Sequence, residues 1–233
     1  MTDKPQTREP QYQRCLELQD TAGLTPLGLM SNQTWCDDPR RLLFHLARYK
    51  FVAKMLIGCR HVLEVGCADA FGTRLVQQSV ARITAVDFDP VFVEDVRRRM
   101  DPRWPFECRQ HDILAGPVPG DFDGAYALDV LEHIPAADEE RFVANMAACL
   151  GEHGKLVLGM PSLESQAYAS PASRAGHVNC QTEAGLRALL DGFFHHVFLF
   201  AMNDEVVHTG FGPMAHYRLA VCCGKRPQDG RST

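Results

Sequence analysis

The chain has no CxxC pair, no basic excess and no internal repeat. It also has no apolar run approaching the roughly 20 residues of a membrane span. Nine single cysteines without a paired spacing read as reduced, mostly buried thiols rather than a disulfide framework. With 24 basic against 29 acidic side chains, the formal net charge of −5 argues against a nucleic-acid or anionic-membrane partner. The first ten residues are polar and charged and lack the apolar core of a signal peptide, so a cytoplasmic location is expected. Ser162 stands in no nucleophile-elbow pattern and no triad order follows it, which sets aside a serine hydrolase.

What is present centres on residues 61–72, His-Val-Leu-Glu-Val-Gly-Cys-Ala-Asp-Ala-Phe-Gly. A short apolar run carrying Glu64 breaks into small residues at Gly66, and an apolar-periodic stretch with Phe71, Leu75 and Val76 follows. This is the pattern of a strand, a turn that admits a ligand to the backbone, and a helix. Residues 82–87 read as a second strand ending in Asp87, about twenty residues past the turn, where an acid can accept from ribose hydroxyls. A third strand runs from Phe106 to His111 and leads into Asp112, and a fourth from Phe122 to Leu128 leads into Asp129. Acids thus recur at the ends of four successive strands, the edge at which open parallel sheets bind ligands. A nucleoside-type cofactor is expected there.

An apolar content of 45% supports a full core in 233 residues. Residues 1–36, punctuated by proline and glycine, read as an irregular arm or lid. Asp37-Asp38-Pro39 starts a helix in which Leu42, Leu46, Tyr49, Ala53 and Leu56 recur at helical spacing up to Gly58. Strands at 61–65, 82–87, 106–111, 122–128 and 153–160 then alternate with helices at 71–79, 90–100 and 137–150, which predicts a parallel sheet covered on both faces. Arg97-Arg98-Arg99 reads as a solvated helix face. After Pro161, residues 161–181 form a long substrate-side loop and Thr182 caps a helix. Two last strands, near 193–201 and 215–223, flank a polar segment from Asn203 to Met214 and precede a polar tail at 224–233. Cys222 and Cys223 should point to opposite faces of the last strand.

Together these marks resemble the class I S-adenosylmethionine-dependent methyltransferases, in particular the small-molecule branch with the ubiquinone-type O-methyltransferases. The carriers are Val62 to Ala68, Ala85-Val86-Asp87, His111-Asp112-Ile113, the run Asp129-Val130-Leu131-Glu132-His133-Ile134-Pro135, and His153-Gly154-Lys155-Leu156. The resemblance covers residues 40–223 and implies one domain over 37–223. The implied fold is a Rossmann-like, doubly wound α/β sheet of seven strands, mostly parallel with a C-terminal antiparallel hairpin. The implied cofactor is S-adenosylmethionine, leaving as S-adenosylhomocysteine. Glu64, Gly66 and Ala68 would line its methionine and ribose part, Asp87 the ribose hydroxyls, and Phe88 the adenine side. Asp112 and Ile113 would hold the adenine, and Asp129 would lie beside the methionine portion. The family commonly has glycine where this chain has Ala68 and Ala70, which is tolerable if the local φ stays negative.

Methyl transfer to a hydroxyl needs a base at the same edge. His133 resembles the histidine used so by several relatives, with Glu132 placed to orient it, although the same run also simply starts a helix. His177 falls where many relatives carry a substrate-facing histidine. The hydroxyl and amide groups of Ser162 to Gln166 suit a sugar- or nucleotide-linked acceptor, or else cap the sheet. Trp35 and Arg48 are candidate lid residues, while Tyr49 fits the core. Asp204, Glu205, His208 and His216 have no firm ligand spacing, so no metal is assigned, and residues 203–214 are taken for substrate or homodimer contact. The leading expectation is O-methylation of a small polar metabolite. The rivals are N-methylation of an amine, an NAD-dependent oxidoreductase that would also use Asp87, and an inactive cofactor-binding regulator.

Overall fold

The computed structural model describes residues 5–227. The chain orders its elements as helices α1 (Gln13–Ala22), α2 (Leu29–Asp37) and α3 (Arg40–Met55), then strand β1 (Val62–Val65), α4 (Thr73–Gln77), β2 (Ile83–Asp87), α5 (Pro90–Arg99), β3 (Glu107–Gln110) and β4 (Phe122–Leu128). There follow α6 (Glu139–Ala148), β5 (Leu150–Pro161), α7 (Pro171–Gly176), α8 (Glu183–Asp191), β6 (Phe194–Asn203), β7 (Val206–His208) and β8 (Tyr217–Lys225). Eight strands form one sheet in the order β3-β2-β1-β4-β5-β8-β6-β7. The first five are parallel, whereas β8 runs antiparallel between β5 and β6.

The expected seven strands become eight because β7 lies inside the segment read as a polar connection. Asp204, in the left-handed region at φ 50°, makes a tight turn with Glu205, and Val206 and Val207 then pair back onto β6. A three-residue edge strand with polar flanks leaves little periodicity to detect. The N-terminal region also differs from the irregular arm expected of it, since α1 and α2 are helical. Apolar spacing is poor there because α1 buries none of its residues and α2 only Ser31 and Thr34. Of the 224–233 tail, residues 228–233 lie outside the described residues, and Lys225 still belongs to β8.

Alternation along each strand sorts the side chains onto two faces. Leu63, Val65, Leu156, Leu158 and Cys222 pack with Phe142 and Met146 of α6 and Leu186 and Leu190 of α8. Val62, Val157, Leu219 and Val221 pack instead with Val52 and Ala53 of α3 and with Leu56. Val93 and Val96 of α5 meet Ala85 and Cys108. Cys222 is buried on one face while Cys223 packs at the other, as the strand period requires.

Local chemistry sets the helix starts. Asp89 accepts from the Val91 N–H ahead of α5, with Pro90 in the first turn, and Thr182 Oγ1 accepts from the Gly185 N–H ahead of α8. Arg97 and Arg98 are exposed, as a solvated helix face requires, while Arg99 is half-buried. Arg97 donates to the Cys108 carbonyl, and Arg99 binds both Asp95 and the Asp69 carbonyl. All of β1, β2 and β4 therefore point their C-terminal ends at one edge, where the chain turns at Gly66, Phe88 and Asp129.

Candidate active site

At the end of β1 the chain turns at Gly66 with φ 74°, and a Cβ there would sit 2.3 Å from Val130 Cγ2. Glycine is thus required both by conformation and by space. Ala68 and Ala70 follow at φ 45° and 52°, so the negative φ that alanine prefers is not kept. Each left-handed alanine costs roughly 1–2 kcal/mol. Asp87 helps hold the strained turn: its Oδ2 accepts from the Ala68 N–H at 2.8 Å and its Oδ1 from the Asp89 N–H at 2.9 Å. A carboxylate has about four acceptor positions, so two remain for a ligand.

Beyond this turn lies a cavity of about 540 Å³ lined by Gly66, Ala68, Asp87, Phe88, Asp112, Ile113, Asp129 and His133, among others. Phe88 is 70% exposed at its rim, whereas Ile113 is buried and backed by the core. Asp112 Oδ1 accepts from the Leu114 N–H, which fixes the carboxylate and leaves its other oxygen available. Glu64 lines none of the cavities described. It is buried under the turn, where Thr73 Oγ1 and Tyr49 Oη donate to it. Burial, opposed by these hydrogen bonds, pushes its carboxyl up to about 7.

A second cavity, about 290 Å³, shares Met30, Gly66, Ala68, Asp129 and His133 with the first and adds Arg48, Tyr49, Glu132 and His177. Asp129, at φ 57°, receives both hydrogen bonds of Arg48 Nη1, at 2.7 and 2.9 Å. The Arg48 guanidinium lies 3.8 Å from the centre of the Tyr217 ring, a cation–π contact that fixes it from behind. Arg48 is therefore a wall of the site, while Trp35 is 56% exposed and lines neither cavity.

His133 and His177 stand edge to face, 5.2 Å between ring centres. His133 Nδ1 meets the Gly176 carbonyl at 2.8 Å, and His177 Nδ1 meets Gln166 Oε1 at 2.9 Å. Glu132 Oε1 lies 4.0 Å from His133 Nε2, too far for a hydrogen bond, so the Gly176 carbonyl orients that ring in place of Glu132. The Glu132 backbone carbonyl accepts from Val178 and Asn179, tying the 176–179 segment to the end of β4. Burial and then the Asp129 charge push the Glu132 carboxyl well above its ordinary range. Burial and the neighbouring His133 draw His177 down.

Sequence reasoning missed the role of α2. The Ser31 N–H and hydroxyl both bind the Asp69 carboxylate, at 2.6 and 3.2 Å, and this places Met30 over both cavities. Its one legible signal was Gly28, at φ 102°, where a Cβ would press on Asp69 and Arg99. Ser162 is fully buried, donates to the Ala215 carbonyl and accepts from the Ser165 N–H, so it caps the sheet. Arg218, only 2% exposed, binds Glu164, Glu183 and the Gly212 carbonyl and locks the 161–181 loop to the 203–214 segment. In that segment the His208 ring is spent on Asn203 and the Gly210 N–H.

Residues 62–154 match the methyltransferase domain family. A ubiquinone biosynthesis O-methyltransferase of Xanthomonas euvesicatoria pv. vesicatoria is 28% identical over 153 residues, 63% of this chain and 63% of that protein. A probable S-adenosylmethionine-dependent methyltransferase of Mycobacterium tuberculosis is 34% identical over 104 residues, 44% of this chain and 36% of its own length. Over this stretch the chain is similar to S-adenosylmethionine-dependent methyltransferases. It aligns with less than two thirds of the length of these curated relatives. The fold is shared by the N-methyltransferase NodS of Bradyrhizobium japonicum in complex with S-adenosylhomocysteine, with TM-score 0.59, 20% identity, and 87% and 95% of the two chains covered. It is shared too by a possible histamine N-methyltransferase of Thermotoga maritima, with TM-score 0.62, 16% identity, and 82% and 93% covered.

The fold thus brings Gly66, Ala68, Asp87, Phe88, Asp112, Ile113, Asp129 and His133 to one cavity, and His177 to the adjoining one. Glu64 is buried and lines neither of them.

Proposed function

We propose that this protein uses S-adenosylmethionine to methylate a hydroxyl oxygen of a small polar metabolite. The observation that carries the reading is the pair of cavities joined at Gly66, Ala68, Asp129 and His133. The first has the donor set of a nucleoside site, with apolar Ile113 and Leu114 to pack on a ring and the carboxylates of Asp87 and Asp112 to accept from hydroxyl and amino groups. The residues present fit the cofactor.

When bound, the cofactor supplies a methyl group activated by its sulfonium. The rest falls to the protein. Asp87 would hold the ribose hydroxyls and repel a 2′-phosphate, Asp112 would accept from the adenine amino group, and Asp129 would sit near the methionine portion. Arg48 fixes the Asp129 carboxylate, so the joint between the chambers is rigid and the acceptor meets an aligned partner. His133 and His177 carry carbonyl acceptors at Nδ1, which leaves the Nε2 of each neutral ring with its lone pair for an acceptor hydroxyl. Ser162 and Gln166 are spent on internal bonds, so they lend no support to a sugar- or nucleotide-linked acceptor.

The test is transfer of labelled methyl to a panel of hydroxylated and amine metabolites. Turnover with hydroxyl acceptors should fall about 10²–10⁴-fold in His133→Ala, with S-adenosylhomocysteine affinity kept. Transfer to amines alone, untouched by that substitution, would refute the oxygen acceptor.

A further inference from the structure

We infer that a third cavity, behind the turn that follows β1, binds a carboxylic acid with an apolar body, and that its occupancy is felt in the cofactor chamber. The cavity measures about 410 Å³, within the range that takes a small ligand. Its walls come from α3, α4, the end of α5, residues 101–106 and the segment before α2. It shares no residue with the cofactor chamber and meets the acceptor chamber only at Leu46, Asp69 and Phe71.

The first observation is the lining. Phe71, Leu75, Met100, Trp104 and Phe106 make the interior apolar. Met100 and Phe106 rest on the buried cluster of Val93, Val96 and Cys108, which fixes the floor. The outer wall is fixed as well, because Gln77 Nε2 donates to both the Trp104 and the Pro105 carbonyls. A groove of about 350 Å³ continues the cavity past Thr25 and Pro26 to Leu24, which is 79% exposed. An apolar chain of moderate length has room to lie along it.

The second is the charge at the rim. Arg74, Arg99 and Arg103 stand there with Asp69 and Asp101. Arg99 is committed to Asp95 and the Asp69 carbonyl. Arg103 is committed to Asp101, which also lies within electrostatic reach of Arg74. The Asp69 carboxylate is taken by Ser31 and the Phe71 N–H. The Arg74 side chain has no hydrogen-bond or ion-pair partner among the described residues, and its guanidinium lies 3.9 Å from the centre of the Trp104 ring. A guanidinium over an aromatic ring keeps its N–H donors at its edge, where a carboxylate takes two of them at once. An apolar interior with one uncommitted cation at its rim selects a singly charged anion with an apolar body.

The third is the shared wall. Asp69, Ala70 and Phe71 continue directly from Gly66 and Ala68 of the cofactor chamber, and Ala70 is held at φ 52°. The same Asp69 carboxylate fixes Ser31 and so places Met30 over both chambers. An occupant packed on this wall biases the turn that the cofactor needs, and the cofactor biases the occupant's affinity by the same factor. Binding at the third cavity does not rest on the methyl-transfer reading, whereas the coupling rests on its cofactor chamber.

The chain has two tryptophans, so Trp35→Phe leaves Trp104 as the only one. Octanoate titrated into that variant should shift the Trp104 emission saturably, at micromolar to low millimolar concentration. Octanol, its neutral match, should bind at least tenfold more weakly. Adding Arg74→Gln should weaken octanoate tenfold or more and leave octanol unchanged, with cooperative thermal unfolding to show that the variant folds. In calorimetry, octanoate should change S-adenosylhomocysteine affinity at least threefold in the unaltered chain and not in Arg74→Gln at the same concentration. No saturable response, equal affinity for octanol, or a response that survives Arg74→Gln would overturn the site. Octanoate binding with unaltered S-adenosylhomocysteine affinity would overturn the coupling. Octanoate binding without any S-adenosylhomocysteine binding would sustain the site and refute the cofactor chamber instead.

Discussion

The cofactor chamber and the acceptor chamber share only a short seam of residues, yet the chain builds them in opposite ways. The first is made from the ends of β1, β2 and β4 and the turn after β3, so its acids arrive with the sheet. The second is walled by helices laid over that edge, α2 and α3, and by the segment after α7, each pinned by a hydrogen bond. Asp69 pins α2, Asp129 pins Arg48 of α3, and the Glu132 carbonyl pins residues 178 and 179. Backbone topology supplies the first chamber and tertiary hydrogen bonds supply the second. One is held by the sheet itself, and the other depends on a few contacts.

The largest blow to the first chamber should come from Gly66→Ala. A left-handed alanine plus a 2.3 Å approach to Val130 should cost roughly 2–5 kcal/mol of stability in urea unfolding. A loss under about 1 kcal/mol would mean that the turn can relax and is not set by the sheet.

Buried Glu64 makes a pH prediction of similar size. Its carboxyl titrates near 7 in the fold against 4.5 when free, so between those values the folded chain keeps a proton that the unfolded chain has lost. Stability from this group is full below pH 4.5, falls as pH rises to about 7, and is flat above. The drop is on the order of 3 kcal/mol, because each tenfold difference in proton affinity between fold and free chain is worth about 1.4 kcal/mol. Unfolding of Glu64→Gln should lack this portion of the slope between about pH 5 and 7. Parallel profiles for the two proteins would place the Glu64 carboxyl in a solvated setting.

Asp87→Ala should cost roughly 1–3 kcal/mol of S-adenosylhomocysteine affinity, through lost acceptor contacts to the ligand and a loosened Ala68 turn. It should leave the acceptor chamber's contacts alone, and an unchanged affinity would discredit the ribose assignment. The smallest effect has the other sign. Ala68→Gly should stabilise the protein by about 1 kcal/mol by relieving the left-handed strain at φ 45°, and destabilisation would mean that the methyl group's packing outweighs it.

The same contrast explains what could be read from the sequence. Strand β4 was legible to the residue, and β1 and β2 nearly so, because buried parallel strands are continuous apolar runs ended by polar turns. Asp87, Asp112 and Asp129 were legible for the same reason: position at a strand end is written in the local pattern. The Arg48–Asp129 pair, 81 residues apart in sequence, was not. Neither was the place of Met30, since α2 buries only polar residues and shows no apolar stripe. Edge strand β7 hid in a polar run, and the positive φ of Ala68 and Ala70 runs against alanine's own preference. Gln166 looked like a substrate contact because side-chain amides give no sign of direction, and here it holds His177.

The central claim, a nucleoside chamber dedicated to S-adenosylmethionine chemistry, is tested most directly by calorimetric titration with S-adenosylhomocysteine, with NAD as the parallel ligand. The account predicts micromolar binding of S-adenosylhomocysteine and none of NAD. Binding of NAD alone, or of neither, would contradict it.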